Sequence, residues 1–156
     1  MLTYIIEKDR LLIITDEVYT NLLNFMQTSG ANERGGVLLG KVSLDYKTVL
    51  VTDISHPSKA DQSGRCYFIR KKEPAQKKIN TEWKASNGEV NYIGEWHTHP
   101  ATHLVPSADD KKLVCESLHT SECQFEELFL IIVGMDGSLY VGNQKKSGFK
   151  QLQIKE

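Results

Sequence analysis

Apolar and polar positions repeat with two different periods along the chain, and the switches between them divide it into strands and helices. Leu11-Leu12-Ile13-Ile14 is an apolar run of strand length. Thr15 or Asp16 can cap the next segment, where Val18, Leu22, Leu23, Phe25 and Met26 recur at helical spacing up to Gly30. Val37-Leu38-Leu39, after a Gly-Gly pair, reads as a buried strand. Thr48–Ile54, rich in β-branched residues, completes a hairpin across a turn at Asp45-Tyr46. His56–Cys66 is polar and turn-rich and reads as a loop, and Tyr67-Phe68-Ile69 is strand-like. Pro74 sits where a first helical turn tolerates it, with Ile79 and Trp83 four apart beyond it, and Asn87-Gly88 ends that helix. Val90–His99 reads as a strand, Ser107–His119 as a helix and Leu128–Val133 as a strongly apolar strand. Asp136-Gly137 is a two-residue turn into Ser138–Val141, and a last strand covers Phe149–Ile154. The pattern predicts a mixed α/β fold, with a mostly antiparallel sheet covered by two or three helices.

Composition narrows the setting. A length of 156 residues fits a single domain over 1–156, large enough to bury a core without staples. Nineteen Lys and Arg against twenty Asp and Glu leave a formal net charge of −1, so nothing global draws the chain to nucleic acid or an anionic membrane. No apolar run approaches the ~18–20 residues of a transmembrane helix, and Met1–Arg10 has no secretory apolar region. The three cysteines, Cys66, Cys115 and Cys123, are odd in number and form no CxxC, which fits reduced thiols in a cytoplasmic protein.

The chemistry concentrates in Gly94-Glu95-Trp96-His97-Thr98-His99-Pro100 and in Pro106-Ser107-Ala108-Asp109-Asp110. Residues two apart on a strand share a face, so His97 and His99 project together, roughly 7 Å apart at the backbone. Two imidazoles at that spacing can converge on one zinc ion. Ser107 can cap the next helix and Asp110 can close a capping box. Alternatively, a carboxylate in that first turn can point back at the strand end as a third ligand. Two His and one Asp leave the fourth tetrahedral position to water, as in a catalytic zinc site. An HxH alone is more often a pair of surface histidines, and an SxxD alone is most often just a cap. Their conjunction at this spacing carries the argument.

That conjunction, H-x-H-x(10)-D with a serine three before the aspartate, resembles the JAMM (JAB1/MPN/Mov34) metalloprotease motif, here as His97, His99, Ser107 and Asp110. The family also places a glutamate upstream beside a glycine-rich strand, which Glu33-Arg34-Gly35-Gly36-Val37-Leu38-Leu39-Gly40 matches. The resemblance implies a cytidine-deaminase-like α/β/α fold and zinc-dependent hydrolysis of an amide or isopeptide bond at the C-terminus of a ubiquitin-like modifier. His97, His99 and Asp110 would hold one Zn²⁺ per chain. Glu33 would take a proton from the attacking water and return it to the leaving amine, and Ser107 would donate a hydrogen bond to the oxyanion. Gly35 and Gly36 would let the strand after Glu33 pack close to the site.

The run Tyr-Ile-Gly-Glu-Trp-His-Thr-His-Pro and the short chain are most similar to stand-alone JAB-domain peptidases of bacterial operons that also encode E1/E2-like conjugating enzymes. In CBASS antiphage systems such a peptidase removes a conjugated cyclic-nucleotide synthase from its target. The implied partners are therefore that synthase, the conjugating enzyme and a protein substrate. Another ubiquitin-like system, or sulfur-carrier processing, would use the same chemistry.

Several rivals share the neighbourhood. Glu95 falls on the same face as His97 and His99 and could be a ligand or the general base, unless a bulge or a partner such as Arg34 or a lysine makes it structural. His103 could also ligate, although a loop histidine is more often solvated. Asp109 neighbours the ligand but suits helix-dipole support. Tyr92 and Trp96 fall on the opposite face, where core packing is expected. The clusters Arg70-Lys71-Lys72 and Lys77-Lys78 read as solvated helix faces. Cys115 or Cys123 with His119 lacks the separated arrangement that thiol proteases require. A silent binding scaffold, or a zinc or manganese phosphoesterase using His97, His99, His103, Asp109 and Asp110, is the alternative of a different class. Loop His56–Cys66 is the expected substrate-contacting insertion.

Overall fold

The structure, a computed structural model, describes residues 1–120 and 125–156. The chain begins with a strand the sequence pattern does not single out, β1 (Leu2–Glu7), which folds back on β2 (Arg10–Ile14). Next come helix α1 (Asp16–Leu23) and the hairpin β3 (Gly35–Val42) and β4 (Thr48–Ile54). A small hairpin, β5 (Gln62–Gly64) with β6 (Tyr67–Ile69), precedes helix α2 (Lys72–Ala85), strand β7 (Asn91–Thr98) and helix α3 (Ala108–Thr120). The C-terminal part contributes β8 (Glu127–Val133), β9 (Leu139–Lys145), β10 (Gly148–Gln151) and β11 (Gln153–Ile154).

Nine strands form one sheet in the order β10-β9-β8-β7-β3-β4-β2-β1-β11. Only β2–β4 and β7–β8 pair in parallel, and the other neighbours are antiparallel, as the pattern predicts. Both faces are covered, and strand alternation sorts the core accordingly. On one face Val18 and Leu22 of α1 pack with Leu38, Val51, Trp96 and Ile131. On the other, Ala75 of α2 meets Val37 and Leu39, while Val114 and Leu118 of α3 meet Leu128, Leu130 and Ile132. Strand β8 supplies both faces and is buried along its whole length, which explains its uninterrupted apolar run.

Four expectations need correction. Helix α1 stops at Leu23 rather than reaching Gly30. Asn24 is its C-cap, and Phe25 and Met26 close only three-residue turns onto Leu22 and Leu23. Their apolar side chains are spent elsewhere, with Phe25 set against the ring of Trp96 at 5.4 Å between centroids. The His56–Cys66 segment is not all loop, since Gln62–Gly64 forms β5. The predicted last strand is split into β10 and β11 around Leu152, whose side chain is buried in the core.

The fourth correction concerns β7. Opposite β3, Leu38 pairs with Gly94 but Leu39 pairs with Tyr92, so Ile93 is an extra residue in a β-bulge. The bulge reverses the alternation before Gly94. Ile93 joins Trp96 in the core under α1, and Tyr92 turns to the face that carries Glu95 instead of lying opposite it. Gly94 has φ +155°, and a Cβ there would sit 1.9 Å from the Phe129 carbonyl oxygen, so the kink requires glycine.

Candidate active site

His97 of β7 and His99, the residue just beyond its end, project on one face, and the first turn of α3 brings Asp110 to them. His97 Nε2 lies 3.1 Å from an Asp110 carboxylate oxygen and His99 Nε2 lies 3.2 Å from the other. The two imidazole nitrogens are 3.1 Å apart. A tetrahedral zinc with bonds of about 2.0–2.1 Å has neighbouring donors about 3.3 Å apart, so this triangle has the right size and donor chemistry for such an ion. Among the described residues, these three are the His, Cys, Asp and Glu side chains whose donor atoms converge in this way.

The capping box and the carboxylate pointing at the strand end, alternatives in the sequence, coexist. Ser107 N–H donates to Asp110 Oδ2 at 2.7 Å, and Asp110 N–H donates to Ser107 Oγ at 3.0 Å. The cap fixes the Asp110 rotamer while its oxygens still reach both histidines. Burial works against the charged form of Asp110, but bonds from both imidazoles outweigh it and hold the carboxyl far below the usual range. Burial likewise disfavours the His99 imidazolium, and Asp110 more than compensates, raising its pKa. Negative charge is thus already favoured where a cation would sit.

Glu33 lies just before β3. Gly35 is in register with His97, and continuing that antiparallel register places residue 33 opposite residue 99. The residue is 5% exposed. Burial raises its pKa, an effect that His97 and His99 partly offset. A buried carboxyl with a raised pKa beside a metal-ligand cluster is suited to accept and return a proton. The two glycines make the approach possible. A Cβ on Gly35 would lie 2.5 Å from the Trp96 carbonyl oxygen and 2.8 Å from the Phe68 ring, and one on Gly36 would lie 2.4 Å from the Ser55 carbonyl oxygen.

The rivals fall away from this centre. Glu95 does share the histidine face, but its carboxylate is engaged. Arg70 donates to it through Nε at 2.9 Å and Nη2 at 2.8 Å, and the Tyr92 hydroxyl donates at 2.8 Å. The partner is therefore Arg70, not Arg34 or a lysine, and Arg70 is no solvated cluster residue. Lys78 is similarly drawn into bridges to Asp53 at 2.8 Å and Glu82 at 3.1 Å. His103 and Asp109 are exposed and stand outside the converging group. Cys115 Sγ lies 3.9 Å from His119 Nδ1, but that nitrogen is 2.7 Å from the Cys115 carbonyl oxygen one turn back, so helix geometry accounts for the pair. Cys123 lies outside the described residues.

From this centre a groove of about 1220 Å³ runs between the β5–β6 hairpin and helices α2 and α3. Tyr67 and Ile69 of β6, Ile79 and Trp83 of α2, and Leu113 of α3 line it, with Glu33, His97 and Asp110 at one end. Among the described residues, that wall is formed by Tyr67, Phe68 and Ile69 of β6, which follow the expected substrate-contacting segment His56–Cys66, and the segment itself reaches it only through β5, the pairing partner of β6.

Helices on both faces of a mostly antiparallel sheet, with three converging His, His and Asp side chains at one strand end, define an α/β/α domain with a candidate metal site. Residues 15–147 match the sequence profile of the prokaryotic homologs of the JAB domain, and the chain belongs to that family. It is 32% identical over 155 residues, 99% of this chain and 95% of the relative, to a protein of Escherichia coli (strain TW11681) named CD-NTase/cGAS isopeptidase. A Vibrio cholerae protein of the same name is 35% identical over 129 residues, covering 82% of this chain and 79% of its own. Among solved structures, protein DSY2949 from Desulfitobacterium hafniense shares the fold with a TM-score of 0.59 at 23% identity, over 90% of this chain and 88% of that one. Among the described residues no helix is long and apolar enough to cross a membrane.

Proposed function

We propose that the protein is a zinc-dependent isopeptidase that cleaves the amide bond between the C-terminus of a conjugated protein and a lysine. The conjugated protein would be a nucleotide synthase of the CD-NTase class, as the names of its relatives indicate for them. The observation that carries this reading is the triangle of His97, His99 and Asp110 donors, of zinc size, with buried Glu33 beside it. A zinc ion held there would supply a water activated near neutral pH and polarise the scissile carbonyl.

The remaining steps belong to side chains of the chain itself. The groove takes the C-terminal tail of the conjugate in an extended form and delivers its last carbonyl to the centre. Glu33 accepts a proton from the attacking water and returns it to the nitrogen as the C–N bond breaks. That return matters because a lysine amine, with a pKa near 10.4, leaves poorly as an anion. Ser107 uses its oxygen to accept from Asp110 N–H, which leaves its hydroxyl hydrogen to donate to the tetrahedral oxyanion.

A synthase–lysine conjugate tests the reading directly. Zinc-loaded wild-type protein should release the synthase, metal chelation should stop it and thiol-directed reagents should not. Glu33→Gln should retain zinc but lose the activity. Hydrolysis by Glu33→Gln at the wild-type rate would refute the assignment of the base. Binding of the conjugate without cleavage, with zinc present, would point instead to the silent scaffold.

A further inference from the structure

We propose that Gln27 and Thr98 form a positioning latch that fixes Glu33 and the β5–β6 hairpin relative to the strand bearing the two histidines. The proposal rests on the role given to Glu33 above. Among the described residues, no hydrogen bond reaches the Glu33 carboxylate, so its position is inherited from the backbone that carries it.

That backbone is tied down by two buried polar side chains. Thr98 stands between His97 and His99 in the sequence, fully buried, with its side chain directed away from them. Its Oγ1 accepts from the Arg34 N–H at 3.0 Å and donates to Gln27 Oε1 at 3.0 Å. The backbone completes the clasp, with Thr98 N–H donating to the Arg34 carbonyl at 2.8 Å. Gln27 is itself 2% exposed, and both hydrogens of its amide are used. Nε2 donates to the Ala31 carbonyl and to the Arg65 carbonyl, each at 2.8 Å. Glu33 N–H donates to the Gly64 carbonyl at 2.8 Å, next to Arg65.

One glutamine amide therefore joins three elements that chain connectivity leaves independent: the metal-ligand strand, the segment bearing the base and the hairpin that walls the groove. A network so fully satisfied is rigid, and losing one member leaves the others unpaired in a buried place. A base displaced by about 1 Å can cost on the order of 10²-fold in rate, while metal binding depends on other residues.

The test compares Thr98→Val, which keeps shape and removes the hydroxyl, Gln27→Met, which keeps length and removes the amide, and Thr98→Ser, which keeps the hydroxyl. We expect Thr98→Val and Gln27→Met each to lower kcat about 10- to 100-fold, with KM and zinc affinity within about threefold of wild type. The double variant should be no worse than either single one, because both break the same unit. Thr98→Ser should restore the rate. In metal-free protein, amide hydrogen exchange should accelerate together at residues 31–34 and 64–66 in the two disabling variants and not in Thr98→Ser. If Thr98→Val does not fold, Gln27→Met against wild type carries the same comparison. A wild-type kcat in the disabling variants would overturn the proposal, as would unchanged exchange at both segments or a loss of zinc affinity matching the loss of rate. Should the wild-type protein cleave no conjugate, the functional reading fails on its own, and the exchange measurement still decides whether the latch exists.

Discussion

Replacing Arg70 with methionine removes both arms of the fork that holds Glu95 while keeping most of the aliphatic stem. The Glu95 side chain is 3% exposed and that of Arg70 is 21% exposed, so the two ends of the ion pair are not equivalent. Among the described residues, the carboxylate without Arg70 keeps only the Tyr92 hydroxyl, and a buried charge stripped of its partner typically costs about 3–5 kcal/mol. At roughly 2–4 °C per kcal/mol for a chain of this size, the melting temperature should fall by roughly 6–20 °C. Glu95→Gln is milder. It leaves a guanidinium with access to water and an amide oxygen to receive it, a loss of about 1–2 kcal/mol. Thermal melts of metal-free protein supply the stability differences, and conjugate cleavage on the same samples supplies the function. Glu95→Gln should cleave within a few-fold of wild type. The reasoning is refuted if Arg70→Met melts within a degree or two of wild type, or if Glu95→Gln abolishes cleavage while holding zinc, since Glu95 would then be the base.

Two further outcomes follow from the same geometry. Glu33 is buried with a raised pKa, so its ionised form opposes folding once pH exceeds the unfolded value of about 4.5. Metal-free Glu33→Gln should accordingly melt above wild type at neutral pH, and the gap should narrow as pH falls below the raised folded pKa and be closed below about 4.5, as thermal melts across pH 4–8 would show. Gly35→Ala must push the Phe68 ring and the Trp96 carbonyl from contacts of 2.8 and 2.5 Å, so it should lose about 1–3 kcal/mol in denaturant unfolding and misplace the hairpin, raising KM.

The convergence of His97, His99 and Asp110 is the most legible part of the candidate site, because each of these side chains is set by local periodicity. A two-residue strand repeat aligns His97 with His99, and a serine cap three residues ahead orients Asp110. The sheet interior was equally readable wherever a strand is buried on both faces, as in Leu128–Val133. Sequence patterns failed where the deciding contact is distant. Strand β1 is sealed by β11, with Tyr4 opposite Ile154, and no local signal links the two ends. The bulge at Ile93 exists only through its register with β3, so simple alternation puts Tyr92 on the wrong face. Arg70 reads as one of three adjacent basic residues until the fold sets it against Glu95, 25 positions away. Gln27 carries no motif at all. Its importance lies in bonds to residues up to 71 positions distant.

The account depends most on a divalent ion held by His97, His99 and Asp110, and zinc titration of metal-free protein against a chromophoric chelator measures that directly. Wild type should take up about one zinc per chain, and Glu33→Gln should bind with the same affinity. His97→Ala and Asp110→Ala should each weaken binding by at least about 10²-fold, since even the residues behind a ligand are worth 10- to 100-fold. Equal zinc affinity in wild type, His97→Ala and Asp110→Ala would contradict the central claim.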